Sequence, residues 1–219
     1  MGKRKILQMD GSTAEYYVAH PASGTGYGVL VLHAWWGLTD VFTSVCDRLA
    51  EAGFIALAPD LYHGQVATTR EQAEQLSSAL DAKTTQTLIN RAVAELQIQP
   101  GIQGHTIGVI GFSLGGGWAL SLNQSVGAIV IYYATVPLEY ISASAPIMGH
   151  FAEHDEFEPL ENVQQFERDL RSKGLKVEAH VYPNTRHWFS EENQIGYYDP
   201  AAAELAWSRT IDFLHRHLA

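Results

Sequence analysis

Six short runs in this chain are apolar at nearly every position. They alternate with longer stretches in which apolar residues recur every three or four positions. The runs are residues 28–33 (Gly-Val-Leu-Val-Leu-His), 54–59 (Phe-Ile-Ala-Leu-Ala-Pro), 106–112, 127–133, 146–151 and 177–182. They are too short for buried helices, are rich in Val and Ile, and are bounded by Gly or Pro, which predicts strands. A strand that is apolar on both faces is covered on both faces, as happens when helices join successive parallel strands. The amphipathic stretches between the runs supply those helices. They span about 40–52, 69–98 in two pieces, from about 115 onward, 160–172 and about 201–217. Thr69 is a natural N-cap with Glu71 and Glu74 nearby, the second piece begins near Lys83, and Gly174 stops the helix over 160–172. The pattern predicts an α/β fold with a mostly parallel central sheet and helices on both faces. With 219 residues and no repeat, linker or low-complexity tract, the expected organisation is a single domain over 1–219.

Composition narrows the function more than the fold. Lys and Arg number 14 against 24 Asp and Glu, a net charge of −10 with His neutral. This argues against a nucleic-acid binder, which needs a basic face, and against docking on anionic membranes. Charged residues interrupt every apolar run well short of a membrane span. Cys46 is the one cysteine, so no internal disulfide forms, and it reads as a small core residue on an amphipathic helix. The basic N-terminal residues Lys3-Arg4-Lys5 are not followed by an apolar export signal, so a cytoplasmic location is expected. Gly24-Thr-Gly26-Tyr-Gly28 precedes a strand instead of following one, so it reads as a turn and not as a dinucleotide loop.

The candidate chemistry lies in Gly111-Phe-Ser113-Leu-Gly115-Gly116, which joins a predicted strand directly to a predicted helix. This is the G-x-S-x-G nucleophile elbow in the context that it needs. The turn strains Ser113, so the residues two before and two after must lack a β-carbon for the chains to pass. The helix behind offers free N–H groups to a developing oxyanion. A serine hydroxyl needs a base to take its proton, and that base needs a carboxylate to orient it. In this arrangement the chain order is Ser, acid, His. Among the histidines after residue 113, His187 follows the end of a strand, where sites in open α/β sheets gather. His180 lies inside a strand, and His215 and His217 ride the last helix. Asp155 follows the strand ending at Phe151 and is the expected acid, ahead of Glu153 and Glu156. The spacing of His150 and His154 would converge on a metal only on a helix, and here it straddles a strand end and a loop, so no metal is expected. The expected oxyanion donors are the main-chain N–H groups of Leu114 and of Trp35, in the loop His33-Ala-Trp-Trp-Gly37. His33 reads as a buried residue that hydrogen-bonds loop backbone. A histidine base makes activity rise through roughly pH 6–7.

Taken together, these segments resemble the dienelactone hydrolase (carboxymethylenebutenolidase) family of α/β hydrolases over nearly the whole chain. The resemblance rests on Leu32-His-Ala-Trp-Trp-Gly-Leu38, Asp47-Arg-Leu-Ala-Glu-Ala-Gly53, Ala58-Pro-Asp-Leu-Tyr62 and the elbow, then Gly149-His-Phe-Ala-Glu-His-Asp155, His180-Val-Tyr-Pro183 through His187, and Arg209-Thr-Ile-Asp-Phe-Leu214. It implies an α/β-hydrolase fold with little or no lid. It also implies a small hydrolase that opens lactones or esters through an acyl-enzyme without a cofactor.

Three departures from the family pattern bear on the substrate. The namesake enzymes carry a cysteine at the elbow, where Ser113 stands here. They also carry a glutamate in the early loop that activates the thiol, and Ala34 matches that position. The two changes fit one another, because a serine needs only His187 as base. The namesake enzymes hold a substrate carboxylate with two arginines. One matches Arg70, while the other, four residues after the catalytic histidine, is Glu191 here, whose charge would repel a carboxylate. A neutral ester then becomes the expected substrate, with Trp35, Trp36, Tyr132 and Trp188 lining an apolar pocket. Acyl transfer to an alcohol or peroxide is the alternative on the same scaffold. A non-catalytic small-ligand binding protein is a further one, against which the intact triad speaks.

Overall fold

A computed structural model of the chain describes residues 1–9, 11–122 and 126–219. The chain forms two compact units, residues 1–109 and 110–219.

The first unit holds β1 (Lys3–Met9), β2 (Ser12–Ala19), β3 (Gly26–Leu32), α1 (Asp40–Glu51), β4 (Ile55–Pro59), α2 (Arg70–Ser78), α3 (Ala82–Gln97) and most of β5 (Ile102–Phe112). Its strands lie in the order β1-β2-β4-β3-β5. β3 pairs with β4 in parallel, Leu30 opposite Leu57, while β1, β2 and β4 pair antiparallel. Val29 to Leu32 and Ile55 to Ala58 have no exposed surface. Since consecutive residues of a strand face opposite ways, both faces here are covered. α1 turns Val41, Phe42, Cys46, Leu49 and Ala50 inward, and α3 does the same with Leu88, Ile89, Ala92 and Leu96, the spacing of one helical face. Thr69 caps α2 as expected, accepting from the Gln72 N–H at 3.2 Å, and Asp81 caps α3 through the Thr84 N–H at 2.8 Å.

β1 and β2 were not expected from the apolar runs. β1 buries only Leu7, and its first four residues are exposed. An edge strand of that kind carries charge on its surface and has no continuous apolar run to find.

The second unit continues with the end of β5, then α4 (Leu114–Ser121), β6 (Val126–Tyr132), β7 (Ile147–Ala152), α5 (Leu160–Ser172), β8 (Val177–Tyr182) and α6 (Pro200–Leu218). Its strands follow the order β5-β6-β7-β8. β6 pairs with β7 in parallel, as does β7 with β8. β7 is buried throughout, whereas β8, at the edge, leaves Val181 exposed. Gly174 stands at φ +78° two residues beyond α5, a conformation that suits glycine at the end of a helix. Among the described residues no helix is long and apolar enough to cross a membrane.

Candidate active site

The site is built on three loops of the second unit, each at the carboxyl end of a strand. The first is the elbow. Ser113 stands between β5 and α4 at φ +50° and ψ −113°, a region that costs a non-glycine residue about 1–3 kcal/mol. Its N–H donates to the Tyr132 carbonyl at 2.9 Å, and its own carbonyl accepts from the Gly116 N–H at 2.8 Å, which pins the strained turn from both sides. A β-carbon on Gly111 would run into the carbonyl oxygen of Gly115, and one on Gly116 would strike the Ala134 side chain. The glycines therefore serve close approach. Gly111→Ala is expected to destabilise the fold by about 3 kcal/mol, since the obstacle is backbone that cannot swing aside. A thermal melt should show Tm lower by roughly 6–12 °C, and an unchanged Tm would refute this account of the turn.

The second loop carries the acid. Asp155 follows β7, and both backbone N–H groups of the turn before α5 aim at it: Phe157 and Glu158 donate to Oδ1 at 2.8 and 3.0 Å. Glu153 is engaged elsewhere, accepting from the Asn184 N–H, and Glu156 is exposed. Glu158 sits behind Asp155 and accepts from the Thr135 hydroxyl. Burial first, and the neighbouring Asp155 charge as a lesser cause, push its carboxyl up to about 7.

The third loop brings the base. After β8 the chain turns through Asn184 at φ +58°, and the Thr185 hydroxyl donates back to the Tyr182 carbonyl at 2.7 Å. His187 follows. Its Nδ1–H donates to Asp155 at 2.8 Å from Oδ2 and 2.9 Å from Oδ1, and its Nε2 lies 3.1 Å from Ser113 Oγ. The side chains of His187 and Asp155 are only 3% and 1% exposed, so water does not compete for these bonds. The three residues expected from the sequence thus form one hydrogen-bonded line.

Aromatic rings hold the imidazole on three sides: Tyr133 at 4.7 Å, Phe157 at 4.8 Å and Trp188 edge-on at 5.0 Å, centroid to centroid. Tyr133 and Phe157 were missed in the sequence. Phe157 is the exposed one of the three, 41% accessible, and it presents an apolar surface beside the base.

The other sequence expectations separate clearly. Leu114 is the first residue of α4, where N–H groups have no acceptor within their own helix. The expectation that Tyr132 lines a substrate pocket is corrected. Its ring stacks on Phe112 at 4.6 Å and its hydroxyl bonds Thr210 at 2.8 Å, in the core. Trp188 is corrected in the same way. It is 1% exposed and packs against His187, Phe157 and Tyr197.

Glu191 is also corrected. It does not stand in the site as an anion. It is 1% exposed, its Oε1 accepts from the Tyr133 hydroxyl at 2.7 Å, and burial pushes its carboxyl up to about 8. At neutral pH it is uncharged and repels no carboxylate.

Trp35, Trp36 and Arg70 belong to the first unit. Trp35 is half-buried in the loop after β3, with its ring 5.5 Å from that of Trp36. Trp36 is buried and its carbonyl accepts from the Ala67 N–H. Arg70 is exposed at the first position of α2. His33 is fully buried, as expected. Its Nδ1–H donates to the Ala34 carbonyl at 2.7 Å, and its Nε2 accepts from the Leu61 N–H at 3.1 Å. His150 is buried between Tyr182 and Thr210, while the His154 side chain is 63% exposed beside Glu153. Among the described residues no group of His, Cys, Asp or Glu is placed to hold a metal ion.

Comparison with known proteins shows the family and the fold. The dienelactone hydrolase family model matches residues 14–218. A protein of Aquifex aeolicus (strain VF5) assigned as a carboxymethylenebutenolidase is 29% identical over 231 residues, covering 100% of each chain. A solved dienelactone hydrolase-like promiscuous phosphotriesterase from metagenomic libraries superposes with a TM-score of 0.85 at 18% identity, covering 100% of this chain and 99% of the other. Thermogutta terrifontis esterase 2, solved phosphorylated by paraoxon, superposes at 0.73 with 15% identity, over 98% and 94% of the two chains. At these identities the structural likeness establishes the α/β-hydrolase fold.

Proposed function

Because the chain belongs to the dienelactone hydrolase family, a family of hydrolases, we propose that it is a serine carboxylic-ester hydrolase acting on small lactones or short-chain esters, with the whole chain as one catalytic domain. The observation that carries this reading is the line from Asp155 through His187 to Ser113, with both links at hydrogen-bond distance. In the proposed reaction His187 Nε2 accepts the hydroxyl proton as Ser113 Oγ attacks the substrate carbonyl carbon. The carbonyl oxygen gains the negative charge and is met by the Leu114 N–H at the positive end of α4. The C–O bond to the leaving group then breaks. The alkoxide takes the proton from His187, and an acyl-Ser113 ester remains. In a lactone the leaving alkoxide stays tethered to the acyl group. Water, deprotonated by the same nitrogen, attacks the acyl carbon, and collapse returns Ser113 and a carboxylic acid. Asp155 keeps the proton on Nδ1 throughout and stabilises the imidazolium as it forms.

Two features of the site favour a neutral or weakly polar substrate. Phe157 presents an apolar ring beside His187, and Glu191 does not offer the guanidinium that the namesake enzymes place there. The test compares a dienelactone with p-nitrophenyl acetate, each followed by absorbance. We expect kcat/KM to favour the neutral ester. A preference for the dienelactone of 10²-fold or more, about 2.7 kcal/mol, would instead restore the acidic lactone as substrate. Paraoxon, which phosphorylates the structurally similar Thermogutta esterase, should add a single phosphoryl group at Ser113, read by peptide mass. Turnover of neither substrate together with no adduct would refute the hydrolase reading.

A further inference from the structure

Glu191 takes no part in the relay, yet a single ring joins it to the base. Tyr133 stands immediately after β6 at φ +41° and is fully buried. Its main-chain N–H donates to the His150 carbonyl at 2.7 Å. At the far end of the side chain, the hydroxyl donates to Glu191 Oε1 at 2.7 Å and shares a second bond with Ser190 Oγ at 3.0 Å. Between these two fixed ends lies the ring that backs the imidazole of His187 at 4.7 Å. We propose that Glu191 is a positioning residue for His187: its carboxyl anchors the Tyr133 hydroxyl, and the anchored ring holds the imidazole in line between Asp155 and Ser113. The proposal rests on the reading of Ser113 and His187 given above.

A purely structural residue at this position would not need to be a carboxylic acid. Glu191 Oε2 is buried without a hydrogen-bond partner among the described residues, a poor place for a charge and a tolerable one for a neutral carboxyl. Tyr133, from the turn after β6, is the titratable group in contact with it, and Tyr132 on β6 and His187 on its own loop pack against the Tyr133 ring. Glu192 beside it in the chain is exposed. Burial also holds the Tyr133 phenol well above its ordinary range, so the tyrosine remains a donor throughout. The carboxyl is the group that changes. Below about pH 8 it is neutral and stays in place. Above that it ionises, seeks water, and adds negative potential beside the ring that touches His187. The first change loosens the imidazole and so lowers the rate, and the second shifts the ring signals of His187.

The test measures kcat and KM for p-nitrophenyl acetate from about pH 6 to about pH 10 in the wild type, Glu191→Ala and Glu191→Gln, the sampled range bracketing the titration. Alanine, which leaves the tyrosine unanchored, should lower kcat roughly tenfold with KM within about threefold. Glutamine keeps an acceptor for the hydroxyl and cannot ionise. It should restore kcat to within about threefold at neutral pH and abolish the alkaline fall that the wild type shows near pH 8. In the resting protein the His187 ring-proton NMR signals should show a step near pH 8 in the wild type that is absent with glutamine. Superposable pH profiles for wild type and glutamine, with no step in the His187 signals, would overturn the proposal even if alanine fails to fold. An inactive wild type that still shows the step would sink the hydrolase reading and leave the positioning contact standing.

Discussion

Replacing Ser113 by alanine will lower kcat for p-nitrophenyl acetate by at least about 10⁴-fold, with KM changed far less. The loss is this large because the residues of the line act as a unit. Without Oγ there is no covalent intermediate, and His187, 3.1 Å from the missing atom, has only a poorly placed water to activate. What remains is the N-terminus of α4, which still offers N–H groups to an oxyanion and so leaves some rate above that in water. The measurement needs preparations free of contaminating wild type, with active sites counted by a fluorophosphonate burst. A variant within tenfold of the wild type would move the nucleophile away from the elbow altogether.

A loss of comparable size, about 10⁴-fold, is expected for Asp155→Asn, although the change is nearly isosteric. Two main-chain N–H groups, of Phe157 and Glu158, already donate to Oδ1. An asparagine must therefore turn its carbonyl oxygen toward them and its NH2 toward His187. The NH2 then faces Nδ1 from the position where Oδ2 stood at 2.8 Å, which favours the tautomer with the ring proton on Nε2, the nitrogen that must receive the proton of Ser113. The variant should fold with an unchanged Tm within about 2–3 °C, reflecting less than about 1 kcal/mol, and remain slow at every pH. A near-wild-type rate would pass the acid role to Glu153 or Glu156.

Much of this was legible because parallel strands covered on both faces leave continuous apolar runs. All six predicted runs are strands, and α3 begins at Ala82, one residue from the expected start. The elbow and its partners were legible because each sits just past a strand end, where a chemical residue type has little structural reason to be. Two kinds of feature escaped. β1 buries only Leu7, and β2, though buried at Ala14 and from Tyr16 to Ala19, begins with exposed polar residues and is not one of the continuous apolar runs. The aromatic setting of the base escaped for a different reason, which Tyr132 and Tyr133 illustrate. Tyr132 is the last residue of β6 and points into the core toward Thr210. Tyr133 leaves the strand at positive φ and turns toward His187. A one-residue step at a strand end reverses the face, and nothing local distinguishes the two tyrosines. Glu191 was misread by the same logic, since its charge depends on burial by residues distant in the chain.

The Cys46 thiol has no exposed surface on α1, and burial drives its ionisation well above the ordinary thiol range. The thiolate is the form that attacks peroxides and disulfides. The chain thus has a hydroxyl at the elbow and its one sulfhydryl buried away from solvent oxidants. A cysteine at residue 113 would be open to loss as sulfenic acid under oxidative stress, so the oxygen nucleophile proposed above would keep turnover independent of the redox poise around the protein.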